Sequence, residues 1–253
     1  MKKILLAGES WTSTATHIKG WDQFASATYH RGADAFIERL SGDAFAFDYM
    51  LCHEAATDFP ETLEALSEYD AVILSDIGAN TLLMPPKVWI ESKRAPNRLR
   101  LLREWVAGGG ALAMVGGYYS FQGINGGARY RGTAVEEVLP VAIHPWDDRL
   151  EIPEGANPEV MAADHPVLAG VPGGMPFVLS CNEVVAKPGA TTLMALPADQ
   201  GGHPFLVIGE HGQGRTAAWT SDIGPHWLPQ AVLDWPGFVP LWHNLLGWLT
   251  RAS

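Results

Sequence analysis

The feature that most limits what this chain can fold into is an alternation of short apolar runs with helix-period segments through its first half. Residues 4–7 are an uninterrupted apolar run. Phe36, Ile37 and Leu40 share one face of a helix over residues 33–40 that stops at Ser41-Gly42, and Phe45, Phe47, Tyr49 and Leu51 alternate with period two. Asp58, followed by Pro60 and Glu61, opens a further helix through Leu63 and Leu66, its carboxylate placed to cap amides that the first turn leaves unpaired. A third strand covers residues 71–74. A helix over 97–106 carries Leu99, Leu102 and Val106 on one face and ends at Gly108-Gly109-Gly110, ahead of a fourth strand at 111–115. Strands that alternate with helices pair in parallel, so the expected fold is α/β, with a doubly wound, mostly parallel, flavodoxin-like sheet. In such a sheet ligands sit beyond the carboxyl ends of the strands.

After about residue 140 extended, proline-containing stretches dominate (His144-Pro145-Trp146, Ile152-Pro153, Asp164-His165-Pro166), followed by strand runs at 183–186, 191–195, 205–209 and 215–220. Gly212-Gln213-Gly214 reads as a hairpin turn, and a last helix over 240–250 turns Leu241, Leu245 and Leu246 toward a core. No hydrophilic linker interrupts the chain, so residues 1–253 are expected to form a single domain, elaborated with extra β-strands over about 140–215. At 47% hydrophobic and 18% charged residues a substantial core can be buried. The net charge of −11 argues against a nucleic-acid or anionic-membrane partner, both of which call for clustered positive charge. The two cysteines, Cys52 and Cys181, lie too far apart for a disulfide framework or a CxxC knuckle, which suits a reducing, cytoplasmic setting. The N-terminal apolar run ends at Gly8-Glu9, too short for a secretion signal, and His243 and Asn244 break the longest late apolar stretch.

Four loops at strand ends combine glycine with polar or aromatic residues: residues 8–13, 75–80, 116–122 and 220–227. In the third of these, Gly116-Gly117-Tyr118-Tyr119-Ser120 has small residues two before and two after Tyr118, the spacing of a sharp strand-to-helix turn that presents one side chain; an ordinary glycine-rich connection has the same spacing.

With that turn, residues 69–78 and Trp105-Val106-Ala107-Gly108-Gly109-Gly110 resemble the class I glutamine amidotransferase-like superfamily, and over the full length the chain is similar to an uncharacterised group of glutamine amidotransferase-like proteins. Residues 164–172 and 212–226 are more distantly similar to ThuA-like, trehalose-utilisation proteins. The resemblance implies an elbow nucleophile that would be cysteine, activated by a His-x-Glu pair. Here the corresponding positions carry Tyr118 and His226-Trp227-Leu228, so glutamine hydrolysis by that route is not expected. Cys52-His53-Glu54 holds the right residue types, but on an extended chain neighbours face opposite ways.

Two function classes follow. In one, the strand-end loops bind a small molecule, sugar-like as the distant ThuA-like resemblance implies, or the chain assembles with copies of itself, without chemistry. In the other, an enzyme uses Glu9 and His226 as acid and base and Tyr118 as hydrogen-bond donor. Ser10, Trp11, Asp76, Gly117, Tyr119, Ser221, Asp222 and Trp227 are the candidate ligand-binding residues. No cofactor is implied. The nine histidines form no HxH or HxxxH pair, so no metal site is expected; His226, Asp222 and Glu9 would be the first residues to examine for one. Lys87, Lys93, Arg94, Arg98, Arg100 and Arg103 read as a solvated helix face, and Trp219, Trp227, Trp235, Trp242 and Trp248 as core.

Overall fold

The computed structural model describes residues 1–252. Its strands are β1 (Lys2–Gly8), β2 (Ser10–Lys19), β3 (Asp22–Arg31), β4 (Phe45–Met50), β5 (Ala71–Ser75), β6 (Ala111–Val115), β7 (Val141–Ile143), β8 (Arg149–Ala156), β9 (Glu159–Val160), β10 (Val178–Asn182), β11 (Val184–Ala186), β12 (Thr191–Ala195), β13 (Pro204–His211) and β14 (Gly214–Trp219). Eight of them make the central sheet, in the order β4-β1-β5-β6-β14-β13-β12-β9. From β4 to β14 neighbours run parallel; β13, β12 and β9 extend the sheet in antiparallel fashion. The α/β, doubly wound sheet expected from the alternation is present, with the extra strands in the C-terminal half.

Each central strand is buried on both faces, and its successive residues feed two separate cores. Ile4, Leu6, Ile73, Ala113 and Val115 pack with Phe36, Leu241, Trp242 and Leu245 on one face. Leu5, Ala7, Val72, Leu74, Leu112 and Met114 pack with Leu99, Leu102 and Val106 on the other. Both helical faces predicted from spacing therefore do what amphipathic helices do, and each fully buried aliphatic side chain contributes about 1.5–3 kcal/mol. Phe36 meets the edge of Trp242 at 4.8 Å, which ties the helix Asp34–Leu40 to the last helix, Phe238–Thr250. No helix among the described residues is long and apolar enough to cross a membrane.

Five local expectations are corrected. Residues 10–13 are not a loop: they begin a two-stranded ribbon, β2 with β3, that forms its own sheet. Asp58 ends a helix, Cys52–Asp58, instead of opening one, and the next short helix is capped by Thr62, whose hydroxyl accepts from the Ala65 N–H at 3.2 Å. Cys52, His53 and Glu54 are thus in a first helical turn and not extended, with Glu54 bonded back to the Leu51 N–H. Arg98 does not belong to a solvated face. It is fully buried, and its guanidinium donates to the carbonyls of Ala55, Ala56 and Thr57 and to Glu61, closing the C-terminus of the Cys52–Asp58 helix where free carbonyls favour a cation. Lastly, no α-helix directly follows β6; the chain turns through Gly117–Ser120 and makes a short 3-10 turn at Ile124–Gly126 before the helix Ala134–Val138.

Candidate functional site at the strand ends

Counting only the parallel strands, the second in sequence lies outside the first, and the third, fourth and fifth follow on the other side. The sheet is therefore built outward in both directions from β1 and β5, and the crevice beyond the carboxyl ends at such a switch point is where open α/β sheets take ligands. Glu9 directly follows β1 and Asp76 directly follows β5. Both hold left-handed backbone, with φ of +46° and +43°. For side chains of this kind that conformation is costly and persists only where the surroundings enforce it.

The surroundings are specific. The Glu9 N–H donates to the Ser75 carbonyl at 2.6 Å, while the Glu9 carbonyl accepts from the Gly32 N–H at 2.8 Å and the Tyr49 hydroxyl at 2.6 Å. The Asp76 N–H donates to Ser120 Oγ at 3.1 Å, and its Oδ1 accepts from the Tyr119 N–H at 2.6 Å. Gly117 lies against that carboxylate with φ +141°, where an added Cβ would sit 2.8 Å from Asp76 Oδ1. Its N–H donates to Asn182 Oδ1 at 3.0 Å, the Asn182 amide donates to Asp148 Oδ1 at 2.9 Å, and the Asp148 carboxylate accepts from the N–H groups of Gln122 and Gly123, each at 2.8 Å. Asn182 and Asp148 thereby fix the turn after β6 from outside it.

Asp222, in the loop after β14, is buried and accepts from the Trp227 N–H at 3.0 Å. The same oxygen, Oδ2, lies 3.2 Å from His226 Nδ1, so Nδ1 carries the proton and the half-exposed ring offers its other nitrogen outward. Tyr118 stands edge-on to His226 at 4.8 Å and to Trp227 at 5.5 Å, and the Arg149 guanidinium covers its ring at 5.2 Å. The buried indole N–H of Trp227 has no hydrogen-bond partner.

Three carboxylates so close together cannot all ionise freely. Burial, then Asp222 and Asp76, push the Glu9 carboxyl well above its usual range, against the Ser75 hydroxyl that donates to its Oε2 at 2.5 Å. Burial is also the main cause that raises Asp76 to about 6, with the Tyr119 N–H opposing it and Asp222 adding to it. The hydrogen bond to Asp222 raises His226. The cluster thus sets a buried Glu9 carboxyl that favours its proton near a hydrogen-bonded Asp–His pair, an arrangement that combines a carboxyl disposed to donate with an imidazole able to exchange a proton.

Of the residues anticipated from sequence, Glu9, Asp76, Gly117, Tyr118, Tyr119, Asp222, His226 and Trp227 meet at this end of the sheet. Trp11 stands beside Glu9 at the base of the ribbon, stacked on His30 at 5.1 Å. Two others are turned to structural work: Ser221 Oγ donates to the Ser180 carbonyl at 2.9 Å, and Ser10 Oγ accepts from the Tyr29 hydroxyl and the Cys52 N–H, each at 2.8 Å. Sequence reasoning missed Asn182, Asp148 and Arg149. The charged run Asp147-Asp148-Arg149 was a visible signal; Asn182 had none. The expected elbow at Tyr118 is not formed, since Tyr118 does not hold left-handed backbone, which in this turn falls on Gly117 and Phe121, and no α-helix directly follows. A concavity of about 980 Å³ lined by Leu168, Met175, Met194 and Trp235 lies elsewhere and contains none of the anticipated residues. Among the described residues no three His, Cys, Asp or Glu are placed to hold a metal ion.

Neither thiol is activated. Cys52 Sγ points to the Asp76 carbonyl at 3.8 Å and burial pushes its thiol up, while Cys181 is buried with its thiol pushed up to about 12.

Residues 3–251 match a family model described as Putative glutamine amidotransferase. The cytoplasmic protein STM3548 from Salmonella typhimurium is 39% identical to this chain with a TM-score of 0.93, over 98% of this chain and 99% of that one. The cytoplasmic protein STM1381 from Salmonella typhimurium LT2 is 38% identical with a TM-score of 0.91, over the same shares of 98% and 99%. A ThuA-like protein from Parabacteroides merdae shares the fold at 12% identity and a TM-score of 0.57, over 100% of this chain and 91% of that one. No curated protein matches the chain.

Proposed function

The chain belongs to the family described as Putative glutamine amidotransferase, and from that premise we propose that it is a member without glutaminase chemistry, a cytoplasmic single-domain protein whose strand-end site binds a small, polar, sugar-like molecule. The observation that carries the reading is the meeting of the partly exposed Tyr118 and His226 rings, backed by the buried Trp227, beside the carboxylates of Asp76 and Asp222. Aromatic faces take the C–H side of a polyhydroxy compound, and carboxylates accept from its hydroxyls. Against glutamine hydrolysis stand the two neutral thiols and the tyrosine at the turn after β6, whose phenol is a weak nucleophile at neutral pH.

Calorimetry of the full chain against a panel of neutral monosaccharides and polyols tests the proposal. Binding of at least one, weakened tenfold or more in Asp222→Ala and Tyr118→Ala, supports it; no binding across the panel, or ammonia released from glutamine and abolished by thiol alkylation, overturns it.

A second reading has one observation in its favour, the hydrogen-bonded Asp222–His226 pair near the buried Glu9 carboxyl, which burial and the neighbouring Asp222 and Asp76 push above its usual range. In a hydrolase that pair would serve as general base and Glu9 as the acid reserve. Turnover of any bound compound, lost in His226→Ala with binding retained, would select it over simple binding.

A further inference from the structure

The ribbon β2–β3 comprises 22 residues, Ser10 to Arg31, paired in unbroken register from Ser10↔Arg31 to Lys19↔Asp22 and closed by Gly20-Trp21. At roughly 3.4 Å per residue it projects about 30 Å. It is anchored only at its base, where Ser10 is buried and the Tyr29 hydroxyl bridges Ser10 Oγ and His53 Nδ1, each at 2.8 Å. Beyond that both faces and both edges are open to solvent. A lone two-stranded ribbon is marginal in water. This one nevertheless exposes Ile18, Trp21, Phe24 and Tyr29, with Trp21 wholly exposed at the tip.

Its composition fits contact and not solvation. No charged residue occurs at 11–18 or 23–30, and the middle of both strands is small: Ser13, Thr14, Ala15 and Thr16 opposite Ala25, Ser26, Ala27 and Thr28. Unpaired edges are ordinarily protected by lysine, proline or a bulge. Neither edge here has any of them between its end residues.

We infer that the ribbon is an assembly arm and that its occupant is a second copy of this chain, the arms being exchanged about a two-fold axis so that each lies against the other copy's body. Size supports this occupant: 22 residues match the roughly 20–30 per side of a stable protein interface. Charge supports it too. At the outer end of the arm Lys19 and Asp22 cancel, and Arg31 at its base is paired with Asp34, so the projecting part is neutral while the chain carries a net −11. Body-to-body contact between copies is repulsive, whereas contact of a neutral arm with the body carries no such repulsion, and a two-fold exchange uses that pairing twice. The acidic body also opposes approach to an anionic membrane. Trp21, flanked by Ile18 on one face and Phe24 on the other, is the anchor, as a tryptophan seated in a partner surface commonly is.

Sedimentation velocity of the full chain from 0.5 to 50 µM tests the inference, with the triple variant Ile18→Glu, Trp21→Glu, Phe24→Glu alongside. These side chains lie on the open ribbon, so the melting temperature of the body at low concentration should hold. The wild type is expected at twice the mass of one chain or more, with a dissociation constant at least 100-fold weaker in the variant, and amides 12–18 and 23–28 should gain exchange protection as concentration rises. A wild type monomeric at 50 µM, or a variant that assembles as well as wild type, overturns it. Co-sedimentation of a monomeric wild type with vesicles of anionic phospholipid would overturn it in favour of a membrane surface.

Discussion

Glu9 and Ser10 are neighbours in sequence, yet they open the two most unlike regions of the molecule. Toward the sheet, Glu9 joins Asp76 and Asp222 in a cluster where almost every polar group is engaged and backbone strain is held in place by named hydrogen bonds. Away from it, Ser10 begins an arm whose strands, beyond their anchored base, bond only to each other and whose few charges lie at its ends. The site is defined by its surroundings, which shift proton equilibria and enforce left-handed backbone at acidic residues. The arm has no surroundings within its own chain, so its character lies in what its edges and faces lack. A substitution of one kind should therefore have very different consequences in the two regions.

The largest contrast is between two glycines. Gly117 has φ +141° and no room for a methyl group beside Asp76, whereas Gly20 has φ +64° at the ribbon turn and open space around it. Gly117→Ala is expected to cost about 3 kcal/mol or more, because neither the backbone conformation nor the fixed carboxylate yields cheaply. Gly20→Ala is expected to cost about 1 kcal/mol, the ordinary penalty for an L-residue in left-handed backbone. Urea unfolding of the two variants measures both, and equal losses would remove the distinction between an enforced site and an open arm.

The next contrast is in pH. A carboxyl raised on folding holds its proton in the native chain after the unfolded chain has released it. Stability therefore falls as pH rises from the unfolded value near 3.9 to the folded value of about 6, and is flat above it. Asp76→Asn keeps an acceptor for the Tyr119 N–H but has no proton to lose. Its stability relative to wild type should rise by about 2 kcal/mol between pH 4 and 6 and then level off, a span that follows from a two-unit shift with some allowance for solvent. Unfolding free energies at half-unit intervals of pH decide it, and a parallel pair of wild-type and Asp76→Asn curves would show that Asp76 ionises freely.

The same contrast explains what could be foreseen from sequence. Strands β1, β4, β5, β6, β12, β13 and β14 and the two long helices were legible because buried faces impose an apolar period, and the loops at the strand ends followed from the parallel topology. Glu9, Asp76, Tyr118 and His226 were legible for that reason alone. The ribbon was not, since a strand with no buried face has no apolar period to read; only the recurrence of Thr12, Thr14, Thr16 and Ile18 hinted at it. Asn182 and Asp148 reach the site from β10 and the segment before β8, strands whose place depends on long-range pairing that no local pattern encodes. Arg98 was misread because a single arginine in a basic run gives no sign that three carbonyls of a distant helix end await it.

The smallest expected effect isolates one proton. His226 is raised chiefly by its hydrogen bond to Asp222, so Asp222→Asn should lower its titration midpoint toward the ordinary imidazole range. Being raised, His226 lends stability that is full below the unfolded midpoint near 6.5 and is lost as pH climbs through the folded one. That contribution is small, no more than about 0.5 kcal/mol for a ring this exposed, and its loss in the variant would be felt only on the acid side of the transition. Imidazole resonances followed by NMR from pH 5 to 9 provide the readout. That of His226 should move to lower pH in the variant; if it stays in place, the carboxylate positions the ring without holding its proton, and the case for acid–base chemistry at this end of the sheet falls with it.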